Sequence, residues 1–223
     1  MRITWYAHAC FRLEGSGVSI VTDPYTPDES GPPPITEPAD AVVMSSALDR
    51  AHAGWQMVPG SPHVVNALDA VAAPIRVAGS VEVAGVAASE GSDRPDDPKA
   101  NALYTLTLDG VRVCHMGDVG TPLDDEQLEP LRGRVDLLLA LAGAKLTIAL
   151  PDLDRAIEEI GPRVVVPMHY QTPRIRYDLG PLDDFLDRHE SDPVVHAGQS
   201  SIELTTDTLP AERTIVVLEP LLG

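Results

Sequence analysis

The first half of the chain alternates short apolar runs with glycine, proline and polar positions, which is typical of β-strands joined by tight turns. Residues 109 and 110 are Asp-Gly, a two-residue hairpin signal. This pattern predicts a nearly all-β first half that opens with a meander. The predicted strands cover residues 3–6, 10–13, 18–22, 40–44, 63–65, 75–77, 81–87, 102–108 and 111–115.

The second half mixes helical and strand patterns. Apolar residues recur at helical spacing in 124–131, 153–160 and 182–188, and the first of these segments begins with acidic residues that suit a helix N-terminus. Apolar runs at 136–141 and 163–168, and shorter runs near Val194, Ile202 and Ile215, predict further strands. Two stretches predict surface loops: the Pro-rich residues 25–38 and the polar residues 90–99. The fold class is therefore α/β (α+β).

The length of the chain and the lengths of its apolar stretches limit the possible classes of protein. The 223 residues suit one larger domain, 1–223. No window approaches the roughly 18 consecutive apolar residues of a membrane span, and the N-terminus lacks a signal-peptide layout, so we expect a cytoplasmic protein without a membrane partner. Cys10 and Cys114 lie in apolar runs, which favours reduced, buried thiols over a disulfide.

The charge balance argues against nucleic acid as a partner. Asp and Glu outnumber Lys and Arg by 34 to 16, which gives a formal net charge of −18. Such a surface repels a phosphate backbone. Solubility is the simplest explanation of the acidity. We expect a small-molecule substrate, and a homo-oligomer stays open because the sequence does not decide it.

Two apolar strands end in residues that commonly bind metals. His115 and Asp118 follow residues 111–114, and Gly117 and Gly120 allow a sharp turn there. A second strand, 163–168, ends in the same manner at His169. Strand ends that each deliver one His or Asp to a common point are how layered sheet enzymes build metal sites. The alternative is that His115 is a strand-end histidine with a structural role.

Two more polar residues stand at the turns of the predicted meander. His8 lies between the first two strands, and Asp23 closes the third. Pro24 forces an extended exit and so aims Asp23 at the strand end. Alternatively, Asp23 simply caps a turn.

Four segments in order, residues 3–11, 21–25, 114–120 and 165–170, resemble the metallo-β-lactamase-fold hydrolases. The branch they resemble is that of L-ascorbate-6-phosphate lactonase and related bacterial proteins. This resemblance implies a four-layer αββα sandwich with a metal site at one edge, where strand ends of both sheets meet.

The chain departs from that family at one motif. Family enzymes usually carry His-x-His-x-Asp-His after the strand that ends here at Met44. With the alignment anchored on residues 60–62, the motif falls on Ala47, Asp49, Ala51 and His52, so only the last histidine is kept. An alignment anchored on residues 40–43 shifts the motif one residue earlier and loses every ligand.

The resemblance also implies two ligand sets. The first metal of the family would keep His115, Asp118 and Asp49 here, and alanine offers no donor, so a dinuclear site is not expected. The second would keep His52, Asp118 and His169, which suits one Zn²⁺, Mn²⁺ or Fe²⁺ ion. The remaining residues are implied to support the site or to contact substrate: His8 and Asp23 as a supporting pair, and Tyr170 and Thr172 beside His169.

Two hypotheses about function follow. In the first, the chain is a mononuclear metallohydrolase that cleaves a small ester, lactone or phosphoester, with Asp49 or Asp118 as general base. In the second, it is a catalytically inactive relative that lacks metal and serves as a binding or structural module. The degenerate motif motivates the second hypothesis, and the retained His115, Asp118 and His169 motivate the first.

Overall fold

A computed structural model describes residues 1–91 and 100–221 of the chain. Within these residues, fourteen strands form two sheets. The strands are β1 (Arg2–Ala7), β2 (Cys10–Gly15), β3 (Val18–Thr22), β4 (Ala41–Met44), β5 (His63–Asn66), β6 (Ile75–Ala78), β7 (Val81–Ser89), β8 (Ala100–Leu108), β9 (Val111–His115), β10 (Leu137–Leu141), β11 (Val164–Met168), β12 (Val194–His196), β13 (Ser201–Glu203) and β14 (Thr214–Val217). The helices are α1 (Pro27–Ser30), α2 (Asp125–Leu128), α3 (Leu150–Ile160) and α4 (Leu182–Leu186), and two 3₁₀ turns span Trp55–Met57 and Ala67–Ala70.

The first sheet brings three turns to one edge. Its order is β13-β1-β2-β3-β4-β5, with β1, β2 and β3 antiparallel as the predicted meander requires. Strands β4 and β5 then add in parallel to β3. Because β1, β3 and β4 therefore all end at the same edge, the residues that follow them, His8, Asp23 and Ser45, lie at that edge.

The second sheet also brings the ends of several strands to one edge. Its order is β12-β14-β11-β10-β9-β8-β7-β6, and β9, β10 and β11 are parallel neighbours. Parallel strands end at a common edge, so the segments after β9 and β11 approach each other. The backbone N–H of His169 donates to the carbonyl of His8 at 3.0 Å, which joins this edge to that of the first sheet.

The sheets pack face to face and are covered on both outer faces. Trp5 and Phe11 of the first sheet share a buried cluster with Tyr104 of the second, and Ile157 of α3 joins it from outside. On the far face of the first sheet, a second buried cluster contains Tyr6, Cys10, Val21, Val42 and Met44 with Tyr25, Ile35 and Val58 of the segment that holds α1 and a 3₁₀ turn. The predicted four-layer αββα sandwich is confirmed.

Two of the differences between the structure and the predicted elements involve a proline. The Pro-rich residues 25–38 are not wholly irregular, because α1 begins at Pro27, where a fixed φ and a missing N–H suit a first helical turn. Helix α3 begins at Leu150 rather than at 153, since Pro151 is likewise tolerated in its first turn. The predicted polar loop at 90–99 lies outside the described residues from 92 onward.

Two further predictions concern thiols and membranes. Cys10 and Cys114 are both buried and unpaired by disulfide, as predicted, and burial raises the pKa of the Cys114 thiol to about 12. None of the helices in the described part of the chain has the length and apolarity that a membrane crossing requires.

A partly buried ion pair just before β10 makes the stability of the fold depend on pH. The Asp136 carboxylate accepts hydrogen bonds from Arg112 through its backbone N–H (2.9 Å), Nε (2.9 Å) and Nη2 (2.7 Å). These bonds hold the pKa of Asp136 below its ordinary value. A carboxylate whose pKa is lowered by folding stabilises the protein above the unfolded value of about 3.9, and the contribution is lost as pH falls through the lower folded value.

We therefore expect Asp136→Asn to lower the free energy of unfolding at pH 7 by about 1–2 kcal/mol, a figure that allows for the partial exposure of Arg112. Denaturant titrations at pH 7 and pH 3 measure the difference in unfolding free energy between the wild type and the variant. This difference should be smaller at pH 3. The exposed Asp207→Asn is the matched control and should change little. If the difference between wild type and Asp136→Asn were the same at both pH values, this account would be contradicted.

Candidate metal centre

Five side chains converge at the edge where the ends of both sheets meet, and we call them the histidine-carboxylate cluster: His8, Asp49, His52, Asp118 and His169. Donor atoms of the three histidines lie within 4.8 Å of one another, and so do those of Asp49, His52 and Asp118. A cavity of about 180 Å³ opens onto the cluster. Its wall also includes Ala51, Leu146, Tyr177 and Leu179.

The backbone holds His8 and His169 in conformations that non-glycine residues rarely adopt. Their φ angles are 54° and 56°. The carbonyl of His8 accepts hydrogen bonds from His169 N–H and from the indole N–H of Trp5, both at 3.0 Å. Gly143 makes room for this arrangement, since a Cβ there would lie 2.0 Å from the carbonyl oxygen of His169. As a result, the two rings are held with their centroids 4.1 Å apart, and strained residues of this kind cluster at functional sites.

The segment after β4 supplies a histidine with its own carboxylate. The Asp49 carboxylate hydrogen-bonds to Nδ1 of His52 and also accepts from Ala51 N–H at 2.9 Å. A carboxylate on one ring nitrogen fixes the tautomer and leaves the other nitrogen free to bind a metal. Nε2 of His52 is buried and has no hydrogen-bond partner among the described residues. Both residues that the preferred alignment assigns to the motif, Asp49 and His52, therefore lie in the cluster.

Asp118 lies between two of the histidines. Its Oδ1 is 3.4 Å from His169 Nε2, and its Oδ2 is 3.6 Å from His52 Nδ1. The backbone N–H of Asp118 donates to the side-chain oxygen of Asn101 at 3.2 Å. Gly117 permits that contact, because its φ is 61° and a Cβ would lie 2.6 Å from the same oxygen. The predicted approach of Asp118 and His169 is therefore present in the structure.

Charges inside the cluster are strongly coupled. Burial alone would lower the pKa of His52, yet the carboxylates of Asp118 and Asp49 outweigh it and raise the pKa to about 10. Burial raises the pKa of Asp118 to about 7, against the opposing effect of His52 and with help from the carboxylates of Asp49 and Glu90. The carboxylates therefore favour a positive charge in the middle of the cluster.

The other two histidines are neutral at pH 7. Burial, reinforced by His52, lowers the pKa of His169 to about 3. Burial lowers the pKa of His8 well below its ordinary value, and His169 and His52 add to the effect. In the described part of the chain, three of their ring nitrogens lack a hydrogen-bond partner: Nδ1 and Nε2 of His8 and Nδ1 of His169. Neutral imidazoles with unused nitrogen atoms are the form in which histidine binds a metal.

His115 does not belong to this cluster, although we predicted it as a metal ligand. Its Nε2 donates to the carbonyl of Ala9 at 2.8 Å, and its Nδ1 accepts from Gly117 N–H at 2.9 Å. The ring stacks on Tyr104, with centroids 4.9 Å apart and 7° between the planes. Backbone groups thus use both nitrogens, and His115 joins the two sheets instead of offering a ligand.

The structure also gives Asp23 and Tyr170 other roles than the predicted ones. The buried Asp23 carboxylate accepts from the backbone N–H and the hydroxyl of Ser45, both at 2.7 Å, so it anchors the segment after β4 rather than orienting His8. Tyr170 is buried in the core, with its ring 5.1 Å from that of Trp5. For Tyr170 the structure therefore favours packing over substrate contact.

Tyr177, Leu146 and Leu179 line the cavity but were missed from the sequence. The ring of Tyr177 lies 5.2 Å from that of His8, and its hydroxyl is 3.3 Å from Ser30 Oγ. Tyr177 and Leu179 stand in the irregular segment after His169, where no periodicity marks a position. The only available signal was proximity in sequence to His169.

The protein-family comparison identifies a domain that covers most of the chain. A model described as the beta-lactamase superfamily domain matches residues 2–169. A UPF0173 metal-dependent hydrolase of Methanoculleus marisnigri is 32% identical over 196 residues, which span 80% of this chain and 85% of that protein. A UPF0173 protein of Pyrococcus abyssi is 29% identical over 77% of this chain and 84% of its own. Both organisms are archaeal, whereas the resemblance in the sequence points to bacterial proteins.

Solved structures agree with this result. A Thermotoga maritima protein, named as a Zn-dependent hydrolase of the metallo-β-lactamase superfamily, is 32% identical, with a TM-score of 0.75 over 99% of both chains. The metallo hydrolase Igni18 of Ignicoccus hospitalis has a TM-score of 0.67 over 100% of this chain and 96% of its own. At 21% identity, the second likeness concerns the fold alone.

Proposed function

Since the chain belongs to the metallo-β-lactamase superfamily, we propose that it is a metal-dependent hydrolase with a single divalent ion, Zn²⁺ or Mn²⁺, held by His8, His52 and His169. The proposed substrate is a small ester, lactone or phosphoester. The observation that carries this proposal is the set of three buried imidazoles that face one cavity with nitrogen atoms lacking partners. His8 would take the place of the histidines that the degenerate motif lacks.

The residues present fit such an ion. A buried polar atom without a partner costs about 1–3 kcal/mol, so several in one cavity call for a ligand that satisfies them together. Three protein ligands with one open position is the usual arrangement of a catalytic zinc site. When bound, a divalent ion supplies a Lewis acid and brings the pKa of a coordinated water toward neutrality.

The carboxylates have separate roles in this proposal. Asp49 bonds to His52 Nδ1 and orients the ring, so it is a positioning residue. Asp118 Oδ1 lies 3.4 Å from His169 Nε2, next to the ligands and at the cavity, where it can take a proton from water as the general base. Of the two predicted bases, the geometry favours Asp118, since Asp49 is engaged with His52 and Ala51.

Metal content tests the proposal directly. The wild-type protein, purified without chelator or affinity metal, and a His169→Ala variant would be measured by plasma mass spectrometry before and after incubation with Zn²⁺ or Mn²⁺. We expect about one equivalent in the wild type and a loss of binding of at least ~100-fold in the variant, because one of three ligands is gone.

The exposed His196→Ala serves as the control and should keep its metal. A wild type that takes up no metal would overturn the proposal and leave the metal-free binding or structural module. Two equivalents, both dependent on His169, would contradict a single metal site.

A further inference from the structure

Two leucines, Leu146 and Leu179, line the cavity together with the histidine-carboxylate cluster. Leu179 is buried there, whereas Leu146 is 72% exposed although it lines the cavity. Leu146 also has a φ of 64°, a conformation that bulky residues rarely adopt. An exposed leucine that lines a cavity offers apolar surface that a bound ligand can cover. Strained backbone conformations of this kind cluster at functional sites.

Apart from three histidines, the described lining of the cavity offers no basic side chain to receive an anionic group. Among the described residues that line it, none is a lysine or an arginine, whereas Asp49 and Asp118 both face it. Phosphate groups are usually bound by Arg, Lys or the N-terminus of a helix. A divalent ion would offset the two carboxylates but would leave no excess of positive charge for a phosphate.

Two of the basic residues that adjoin the cavity lining in sequence, Arg50 and Lys145, are paired with acids. Arg50, between Asp49 and Ala51, bonds to Glu29 at 2.8 Å. Lys145, just before Leu146, bonds to Asp178 at 2.7 Å. Neighbouring carboxylates therefore pair with Arg50 and Lys145, whereas Arg176, just before Tyr177, is exposed and donates to the backbone carbonyl of Asp28.

From the two leucines and two carboxylates that line the cavity, and from the lack of lysine and arginine among its described lining residues, we infer that the substrate is an uncharged carboxylic ester or lactone whose short aliphatic part contacts Leu146 and Leu179. This inference rests on the proposed hydrolase function and narrows its substrate, since it excludes phosphoesters. It also excludes esters that carry a carboxylate on the aliphatic part, because that group would meet the acidic cavity without a partner.

The reaction balances with water as the only co-reactant. The water oxygen forms a new bond to the acyl carbon, and the bond between that carbon and the ester oxygen breaks. Asp118 takes one proton from the water and returns it to the departing ester oxygen, which leaves as an alcohol. The carboxylic acid product releases its own proton to solvent at neutral pH.

Four chromogenic compounds with the same leaving group test this inference on the metal-loaded protein. They are 4-nitrophenyl acetate, 4-nitrophenyl butyrate, 4-nitrophenyl hemisuccinate and bis(4-nitrophenyl) phosphate, each compared with its uncatalysed hydrolysis. We expect kcat/KM to be highest for butyrate and at least ~10-fold lower for hemisuccinate, with the phosphodiester lowest. Leu146→Ala should lower kcat/KM for butyrate by about 10-fold and for acetate by less. Leu146→Lys should move the preference toward hemisuccinate.

The matched control is Leu48→Ala, because Leu48 is 87% exposed and is not among the residues that line the cavity. It should hydrolyse butyrate like the wild type. Preference for the phosphodiester, or an unchanged ratio of butyrate to hemisuccinate in Leu146→Lys, would overturn the ester assignment. So would a metal-loaded protein that cleaves none of the three esters. The metal measurement above decides the proposed function separately from these outcomes.

Discussion

Replacing His52 with alanine is expected to weaken both metal binding and hydrolysis by at least ~100-fold, since the change removes one of three ligands from a buried site. His52 is also the ligand that the altered motif leaves most open to question. Its Nε2 is buried without a partner, and its Nδ1 bonds to Asp49. Isothermal titration with Zn²⁺ gives the affinity, and hydrolysis of 4-nitrophenyl butyrate gives the rate.

Asp49→Asn separates the role of the carboxylate from that of the ring. An amide keeps the size of the side chain but loses the charge that orients and polarises His52. We therefore expect metal affinity to fall by about 10-fold, less than in His52→Ala, since changes behind a metal-bound histidine typically cost 10- to 100-fold. If His52→Ala bound Zn²⁺ as tightly as the wild type, the ion would be held elsewhere. His63→Ala, a histidine bonded to the Val77 carbonyl, is the control.

The layered fold was predictable because short-range patterns determine most of it. Alternating apolar positions in β1, β2 and β3 and the Asp-Gly turn before β9 indicate strands and hairpins from neighbouring residues alone. The order of the strands in each sheet was not available from such patterns, since it depends on contacts between distant segments. The resemblance to the metallo-β-lactamase fold supplied the four-layer arrangement but not that order.

The site was predicted only in part, for a similar reason. His52, Asp118 and His169 follow strand ends that the sequence marks, and the structure brings them together. His115 has the same local pattern, yet its partner at Nε2 is the carbonyl of Ala9, 106 residues away in sequence. A local motif does not reveal such a contact. His8, predicted as a supporting residue, lies within the cluster because β1 and β11 end at the same point.

Trp5→Ala is expected to have the largest effect on stability, about 3–5 kcal/mol of unfolding free energy. Trp5 is fully buried between the sheets, and its ring lies 5.1 Å from that of Tyr170 and 6.3 Å from that of Phe11. Its indole N–H also donates to the His8 carbonyl at 3.0 Å. Alanine would leave a large cavity and remove this hydrogen bond, and urea denaturation of the metal-free protein measures the cost.

Trp5→Phe keeps the folded state accessible if the alanine variant does not fold. It retains most of the buried ring but loses the N–H bond to His8, so we expect a cost of about 1–2 kcal/mol. The other tryptophan of the chain, Trp55, is 39% exposed, and Trp55→Ala should cost much less than Trp5→Ala. Equal costs for Trp5→Ala and Trp55→Ala would contradict the placement of Trp5 in the core. A loss of metal affinity in Trp5→Phe would further show that the indole helps to hold His8, because its N–H donates to the His8 carbonyl.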